Sequence, residues 1–149
     1  MKIAIACDHR GFKLKNILVK YLEEQNNRVI DFGTYSKDAC DYPDYAYLAA
    51  SALANKKVDR AIIICYTGVG SCIAANKVKG VRAVLAYNIK SAYMSRRHND
   101  SNVLVLPSYL FKADYFKKIV SRWLKEGFEG GRHLRRVRKI KEIEEKENV

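Results

Sequence analysis

The fold is decided by the stretch Ile62-Ile63-Ile64-Cys65-Tyr66-Thr67-Gly68-Val69-Gly70-Ser71-Cys72-Ile73-Ala74-Ala75-Asn76-Lys77, residues 62–77. A β-branched apolar run ends at Cys65, a Gly-x-Gly turn follows at once, and a segment with a helical pattern comes next. In an open α/β sheet, ligands bind at such a junction, outside the carboxyl end of a strand. Backbone N–H groups at the start of the next helix favour anions. The stretch therefore predicts a site where the Cys65 thiol, a potential nucleophile or base, lies beside an anion cradle.

Strand and helix patterns alternate along the rest of the chain. Apolar runs predict strands over Lys2–Cys7, Arg28–Phe32, Asp59–Cys65, Val81–Ala86 and Asn102–Leu106. Helical spacing of apolar residues predicts helices over Gly11–Gln25, Pro43–Ala54, Ser71–Val78, Asn88–Arg97, Lys112–Lys125 and Arg132–Glu145. This alternation is typical of a parallel sheet with helices on both faces. We therefore expect an α/β three-layer sandwich with a five-stranded parallel sheet and a C-terminal helical extension.

Length and composition favour one domain over residues 1–149, because 149 residues with 48% hydrophobic content support one core. No apolar run approaches the roughly 18 residues that a membrane span needs. The N-terminal run Lys2–Ala6 is too short for the apolar region of a signal peptide and fits a first strand. The sequence therefore predicts a soluble, cytoplasmic protein.

The four cysteines and the net charge of +12 limit which metals and partners the chain can bind. The cysteines form neither a CxxC pair nor a Cys/His metal spacing, so we expect free thiols and no metal. Half of the basic excess lies between residues 122 and 141, and a solvated helix face explains most of this charge. Arg132 and Arg136 share one helix face, which suits a phosphate monoester. The basic tail lacks the interleaved aromatic residues that stack on bases, so no nucleic-acid partner is expected.

The Gly-rich turn differs from the nucleotide-binding motifs. The dinucleotide fingerprint requires a third glycine where this chain has Ile73, and no acidic residue stands out about 20 positions later. The chain also lacks the Gly-Lys-Ser/Thr of a phosphate-binding loop. The sequence therefore predicts a compact anion cradle and no cofactor.

Two groups of polar residues are expected at opposite edges of the sheet. Asp8 and His9 follow the first strand, and they should meet Cys65 and Thr67 at the edge formed by the strands' carboxyl ends. His98 lies between a helix and the fifth strand, and therefore at the other edge. Within one subunit it should be far from Cys65, so it is either structural or completes the site of a neighbouring subunit.

Six motifs occur in order along the chain, and they are Asp8-His9, Asp41-Tyr42-Pro43, Cys65-x-Thr67-Gly68-Val69-Gly70, Ile73-Ala74-Ala75-Asn76-Lys77, His98-Asn99-Asp100-x-Asn102-Val103-Leu104 and Gly130-Gly131-Arg132-His133-x-x-Arg136. Together they resemble the motifs of the ribose-5-phosphate isomerase type B family, which includes the galactose-6-phosphate isomerase subunits. The resemblance runs from Lys2 to about Ile143. It implies a Rossmann-like fold, no cofactor, a phosphorylated sugar as substrate, and a homodimer or homotetramer with shared active sites. The terminal helix, about residues 132–149, would then pack on a partner subunit.

The resemblance also implies a role for each site residue in converting ribose 5-phosphate to ribulose 5-phosphate through a cis-enediolate. Cys65 would be the base, its thiol pKa lowered by the helix start, and His98 the acid that opens the sugar ring. Asp8 and Thr67 would bind the sugar or shuttle protons between its oxygens, and Asn99 would lie beside His98. The backbone of Tyr66, Gly68, Val69 and Gly70 would form the enediolate cradle. The phosphate would be bound by His9, Arg132 and Arg136.

Three positions depart from the family pattern. Tyr66 replaces a usual glycine, and a positive φ there would strain it by about 1 kcal/mol or more. Cys72 replaces a usual serine, with the possible loss of a hydroxyl hydrogen bond. Tyr109 replaces an arginine that contacts substrate, and Arg10, next to His9, is our candidate to supply that charge. Two other functions stay open: isomerisation of a six-carbon aldose 6-phosphate of the allose or galactose type, and non-catalytic sugar-phosphate binding.

Overall fold

The computed structural model describes residues 1–147 and contains one five-stranded parallel sheet in the order β2-β1-β3-β5-β4. Six helices cover it, so the predicted three-layer α/β architecture with a C-terminal helix is confirmed. No described helix is both long and apolar enough to cross a membrane. The strands are β1 (Lys2–Cys7), β2 (Arg28–Asp31), β3 (Arg60–Cys65), β4 (Ala83–Leu85) and β5 (Val103–Pro107). The helices are α1 (Phe12–Glu24), α2 (Tyr42–Ala54), α3 (Val69–Ala75), α4 (Ile89–Asn99), α5 (Ala113–Lys125) and α6 (Arg132–Lys146). Residues 148–149 of the predicted terminal segment lie outside the described residues.

The sheet is buried on both faces, because its central strands β1, β3 and β5 are apolar at nearly every position. On one face, large side chains of α1 and α5 fill the core, including Leu18, Phe116 and the fully buried Trp123. On the other face, α2 buries only alanines, so its backbone approaches the sheet closely. This packing holds the carboxyl ends of the central strands in fixed positions.

Two predicted boundaries near the candidate residues were wrong. Helix α3 begins at Val69, two residues before the predicted start, because Gly68 adopts a left-handed N-cap with φ +77°. Helix α4 continues through His98 and Asn99, which we had expected in a connection. It ends where Asp100 adopts φ +48°, a conformation that aspartate tolerates better than most residues. His98 therefore projects from the last turn of a helix.

The carboxyl end of α4 is fixed by a buried ionic network. The Arg96 guanidinium, 3% exposed, donates to the Asp100 carboxylate at 2.8 Å and to the Ser101 carbonyl at 2.6 Å. Arg82 donates to the other oxygen of Asp100 at 2.8 Å. The indole N–H of Trp123 donates to the Ser101 hydroxyl at 2.8 Å. These bonds fix the turn that carries His98 against the core.

Candidate active site

The loops after β1, β3 and β5 meet at one edge of the sheet and are joined by backbone hydrogen bonds. The Asp8 N–H donates to the Ile64 carbonyl at 3.2 Å, and the Ser108 N–H donates to the Cys65 carbonyl at 2.9 Å. The Tyr109 N–H reaches the Tyr66 carbonyl at 3.4 Å. The predicted convergence of Asp8, Cys65 and their neighbours at this carboxyl edge is confirmed.

The Cys65 thiol is buried at the end of β3, with the residue 6% exposed. Burial raises the pKa of this thiol above its ordinary value, and a hydrogen bond to the Asp8 carboxylate raises it further. The Ser71 hydroxyl and the Gly68 backbone N–H act in the opposite direction and lower the pKa. Our expectation of a lowered thiol pKa was wrong, because loss of hydration outweighs the helix start.

Asp8 follows the end of β1, and Thr67 follows the end of β3, on which Cys65 lies. Asp8 is buried, and its Oδ1 accepts the Gly11 N–H at 2.9 Å. This bond fixes the carboxylate at the start of α1. Thr67 is exposed, and its Oγ1 accepts the Val69 N–H at 3.4 Å. Asp8 therefore offers a buried carboxylate at the strand end next to Cys65, whereas the exposed Thr67 lies two residues after the thiol.

The turn from Tyr66 to Gly70 requires glycine at two positions. A Cβ at Gly68 would combine a φ of +77° with a 2.5 Å approach to Leu85 Cδ1. A Cβ at Gly70 would overlap the ring of Tyr42, which lies directly over the turn. The N–H groups of Gly70 and Ser71, in the first turn of α3, have no partner within the helix, whereas the Val69 N–H donates to Thr67 Oγ1. The backbone geometry matches the predicted anion cradle.

Tyr66 lies in the turn without the backbone strain that we considered. The non-glycine residues with positive φ in the described chain are Asn26, Lys56 and Asp100. The Tyr66 ring is 47% exposed, and its centroid lies 5.2 Å from that of Tyr109. The Arg10 guanidinium carbon lies 5.1 Å from the same ring. The two unusual tyrosines and Arg10 thus form one cluster at the mouth of the site.

His9 faces the loop before α2. Its Nδ1 accepts the Cys40 backbone N–H at 3.3 Å, with the Cys40 sulfur 3.9 Å away. Because Nδ1 accepts this bond, neutral His9 carries its proton on Nε2. The Nε2–H is then the group that His9 offers to a ligand.

The departure at Cys72 preserves a hydrogen bond. Its thiol donates to the Ala83 carbonyl at 3.6 Å, and the Asn76 amide donates to the same carbonyl at 3.0 Å. Burial raises the pKa of this thiol. Cys72 therefore ties α3 to β4, where we had considered the loss of a bond.

A second cluster lies at the opposite edge, between the end of α4 and the start of α6. The His98 and His133 rings are stacked with centroids 4.2 Å apart and planes 6° apart. His133 is 4% exposed, and its Nε2 has no hydrogen-bond partner. Burial lowers the pKa of His133, and the nearby His98 and Arg132 lower it further. Arg132 and Arg136 are exposed and form no ion pair within the described chain.

His98, Glu129 and His133 place three potential metal-ligand atoms within 4.8 Å of one another. Stacked rings direct their nitrogen lone pairs side by side, whereas coordination requires convergence on one point. Arg97 also holds the Glu129 carboxylate at 2.9 Å. With Arg132 and Arg136 alongside, this arrangement fits an anion better than a cation.

The two clusters do not meet within one protomer. Cys65 ends β3, whereas His98 precedes β5, and the six residues of β3 span about 20 Å. Asp8, His9, Thr67 and Tyr109 lie at the carboxyl edge with Cys65. The residues at the other edge are His98, Asn99, Arg132 and Arg136. The predicted separation of His98 from Cys65 is confirmed.

Sequence reasoning missed two residues of the carboxyl edge. Tyr42 covers Gly70, although the Asp41-Tyr42-Pro43 motif carried no assigned role. Ser71 is buried, and its Oγ has no hydrogen-bond partner of acceptable geometry. Its only signal in the sequence is a small polar residue three positions after Gly68, in the first turn of a short helix.

The fold and this edge define a Rossmann-like α/β protein with a thiol, a carboxylate and a glycine turn at the end of the central strand. Residues 3–140 match the family described as Ribose/Galactose Isomerase. The chain belongs to this family.

Similar proteins cover nearly the whole chain. The ribose-5-phosphate isomerase B of Escherichia coli K12 is 49% identical over 147 residues, which are 99% of this chain and 99% of that protein. The structure of Clostridium thermocellum ribose-5-phosphate isomerase B has a TM-score of 0.96 at 47% identity, covering 98% of this chain and 99% of that one. A Mycoplasma genitalium ribose-5-phosphate isomerase B, solved with bound ribulose 5-phosphate, has a TM-score of 0.92 at 46% identity and covers 97% and 96%.

Proposed function

We propose that this chain interconverts ribose 5-phosphate and ribulose 5-phosphate without a cofactor, as a cytoplasmic homodimer or homotetramer with shared active sites. Residues 1–149 act as one isomerase domain. The observation that carries the proposal is the burial of Cys65 and Asp8 at the ends of two neighbouring strands, directly before the glycine turn. The Mycoplasma genitalium relative with bound ribulose 5-phosphate supports the choice of sugar.

Cys65 is the base in this mechanism. Its thiolate removes the proton from carbon 2 of the open-chain aldose and returns it to carbon 1. Burial makes the thiolate less abundant but a stronger base, which suits removal of a weakly acidic carbon-bound proton. The Cys65 thiolate is needed only when substrate is bound, so the free protein can keep the thiol protonated.

Charge develops on the two sugar oxygens as the proton leaves carbon 2. The backbone N–H groups of the turn at Tyr66, Gly68, Val69 and Gly70 stabilise this enediolate, and one such donor is worth about 3–4 kcal/mol in other enzymes. Asp8 and Thr67 move the hydroxyl proton between the two oxygens. The cradle and the base therefore act on adjacent atoms.

The second cluster supplies ring opening and phosphate binding from a partner copy. His98 protonates the ring oxygen, with Asn99 beside it, and the partner's α6 brings Arg132 and Arg136 to the phosphate. His9 adds its Nε2–H from the copy that holds Cys65. Leu134, Ile140 and Ile143 of α6 are 38%, 47% and 61% exposed, which suits packing of this helix on a partner.

Mixing two inactive variants tests whether the sites are shared. We expect Cys65→Ala and His98→Asn each to lose most isomerase activity on ribose 5-phosphate. Co-refolding equal amounts puts about half of the chains into mixed dimers with one intact shared site, so about one quarter of wild-type activity should return. Sites contained within one subunit would give no recovery.

Substrate choice is tested on the wild-type protein. Activity on ribose 5-phosphate should exceed activity on allose 6-phosphate and galactose 6-phosphate. A preference for either six-carbon sugar would replace the ribose assignment. Binding of all three without turnover would favour a non-catalytic sugar-phosphate-binding protein.

A further inference from the structure

Three side chains from three different loops form a stack over the turn that follows Cys65. Arg10 follows β1, Tyr66 follows β3 and Tyr109 follows β5. The Arg10 guanidinium carbon lies 5.1 Å from the Tyr66 ring centroid, and the two tyrosine rings are 5.2 Å apart and tilted by 42°. The Ser108 hydroxyl donates to the Arg10 carbonyl at 3.3 Å and ties the first loop to the third.

The guanidinium of Arg10 is held in place but is not neutralised. Arg10 is exposed, and no carboxylate of the described residues lies within ion-pair distance of it. Stacking on an aromatic face uses the flat side of a guanidinium and leaves its N–H donors free. Those donors match the oxygens of a phosphate, which arginine binds with two parallel hydrogen bonds.

We propose that Arg10 is a substrate ligand that binds the phosphate of the sugar and that Tyr66 positions it. The inference rests on the proposed function, because it assigns the substrate of that site. Tyr66 holds Arg10 beside the turn, and Tyr109 supports Tyr66. Arg10 thus provides the positive charge that Tyr109 lacks.

Kinetics and phosphate binding test Arg10 separately. We expect Arg10→Ala to raise the KM for ribose 5-phosphate about tenfold to hundredfold, with kcat within about threefold. The inhibition constant of inorganic phosphate should rise by a similar factor. Lys13→Ala, which removes a neighbouring cation on α1, is the control and should leave both constants unchanged. Equal constants for Arg10→Ala and wild type would overturn the proposal.

Two further variants test the role of the stack. Arg10→Lys keeps the charge but loses the planar fork, so only part of the affinity should remain. Tyr109→Arg, introduced into Arg10→Ala, should restore phosphate affinity. A wild-type protein without isomerase activity would refute the proposed function, whereas direct titration with inorganic phosphate would still test Arg10.

A second inference comes from the buried hydroxyl of Ser71. Ser71 is 1% exposed, and its Oγ is one of two buried polar side-chain atoms in the described chain that lack a hydrogen-bond partner. A buried polar group without a partner destabilises the folded state. Ser71 lies in the first turn of α3, the helix that follows Cys65 in the chain, and its hydroxyl lowers the pKa of the Cys65 thiol.

We infer that Ser71 is a positioning residue whose hydroxyl donates to the Cys65 thiolate during proton transfer. The inference rests on the proposed role of Cys65. Asp8, from the end of β1, is the charged group that faces this thiol, and it opposes ionisation. The Ser71 hydroxyl gains a hydrogen-bond partner only when the Cys65 thiol ionises. Its hydrogen bond therefore offsets part of the effect of Asp8 on the Cys65 pKa.

The pH dependence of Cys65 alkylation tests Ser71 without substrate. Iodoacetamide labelling, followed peptide by peptide, should show a midpoint for Ser71→Ala about one pH unit above that of wild type. At neutral pH its kcat should fall about tenfold with an unchanged KM, and Ser71→Thr should restore both values. An unchanged midpoint in a folded Ser71→Ala protein would overturn the inference, whether or not the protein isomerises sugars.

Discussion

The two edges of the sheet differ in how their polar groups are held. At the carboxyl edge, Cys65 and Asp8 are buried and joined by backbone bonds to the central strands. At the other edge, Arg132 and Arg136 are exposed on α6, and neither forms an ion pair with a carboxylate of residues 1–147. A catalytic base requires a fixed position in an environment that excludes water. A phosphate-binding side chain instead requires a charge that no ion pair already neutralises. Under the proposed function, the two edges would perform different parts of one reaction.

Removal of the Cys65 thiol should have the largest effect on activity of all the changes at the two edges. We expect Cys65→Ala to lower kcat by about a thousandfold, within the range for loss of a general base. Cys72→Ala is the matched control, because it removes a nearby thiol that bonds to the Ala83 carbonyl. Steady-state assays on ribose 5-phosphate decide the matter. Comparable activity in the two variants would remove Cys65 from the mechanism.

Substitution of an arginine at the other edge, on α6, should change the KM for ribose 5-phosphate. Arg132→Ala is expected to raise the KM for ribose 5-phosphate about tenfold to hundredfold, because a charge-assisted bond to phosphate is lost. Arg138 lies about 120° around the same helix from Arg132, so Arg138→Ala should change KM little. Initial rates at several substrate concentrations separate the two variants. Identical KM values would mean that α6 does not bind the phosphate.

The pH profile distinguishes a buried base from an exposed one. Because burial raises the Cys65 pKa and the thiolate is the active form, kcat/KM should increase with pH and keep increasing above pH 8. Below that pKa the expected change is about tenfold for each pH unit. A plateau already at pH 7 would require a thiol with a lowered pKa.

Two glycines with similar backbone angles provide the smallest test. Gly68 has φ +77° and no space for a Cβ, whereas Gly80 has φ +81° and nothing within 4 Å. Gly68→Ala should therefore destabilise the fold by about 1–3 kcal/mol more than Gly80→Ala. Urea unfolding measures the difference. Equal losses would show that the contact with Leu85 relaxes at no cost.

The sheet and its edges were predictable from the sequence, but the environments of single residues were not. The run Ile62–Ile64 predicted a central strand, and the order of elements predicted that His98 lies away from Cys65. The raised pKa of Cys65 was missed because burial depends on packing by distant segments. The extension of α4 through His98 was missed because it depends on the left-handed conformation of Asp100.

The length of β3 has a consequence for the cell. Under the proposed sharing of sites, one chain alone cannot complete a reaction, because the strand keeps its two clusters about 20 Å apart. At concentrations below the dissociation constant of the assembly, the rate would grow with the square of the amount of protein. The abundance of the chain would then act as a threshold for flux, with no effector required.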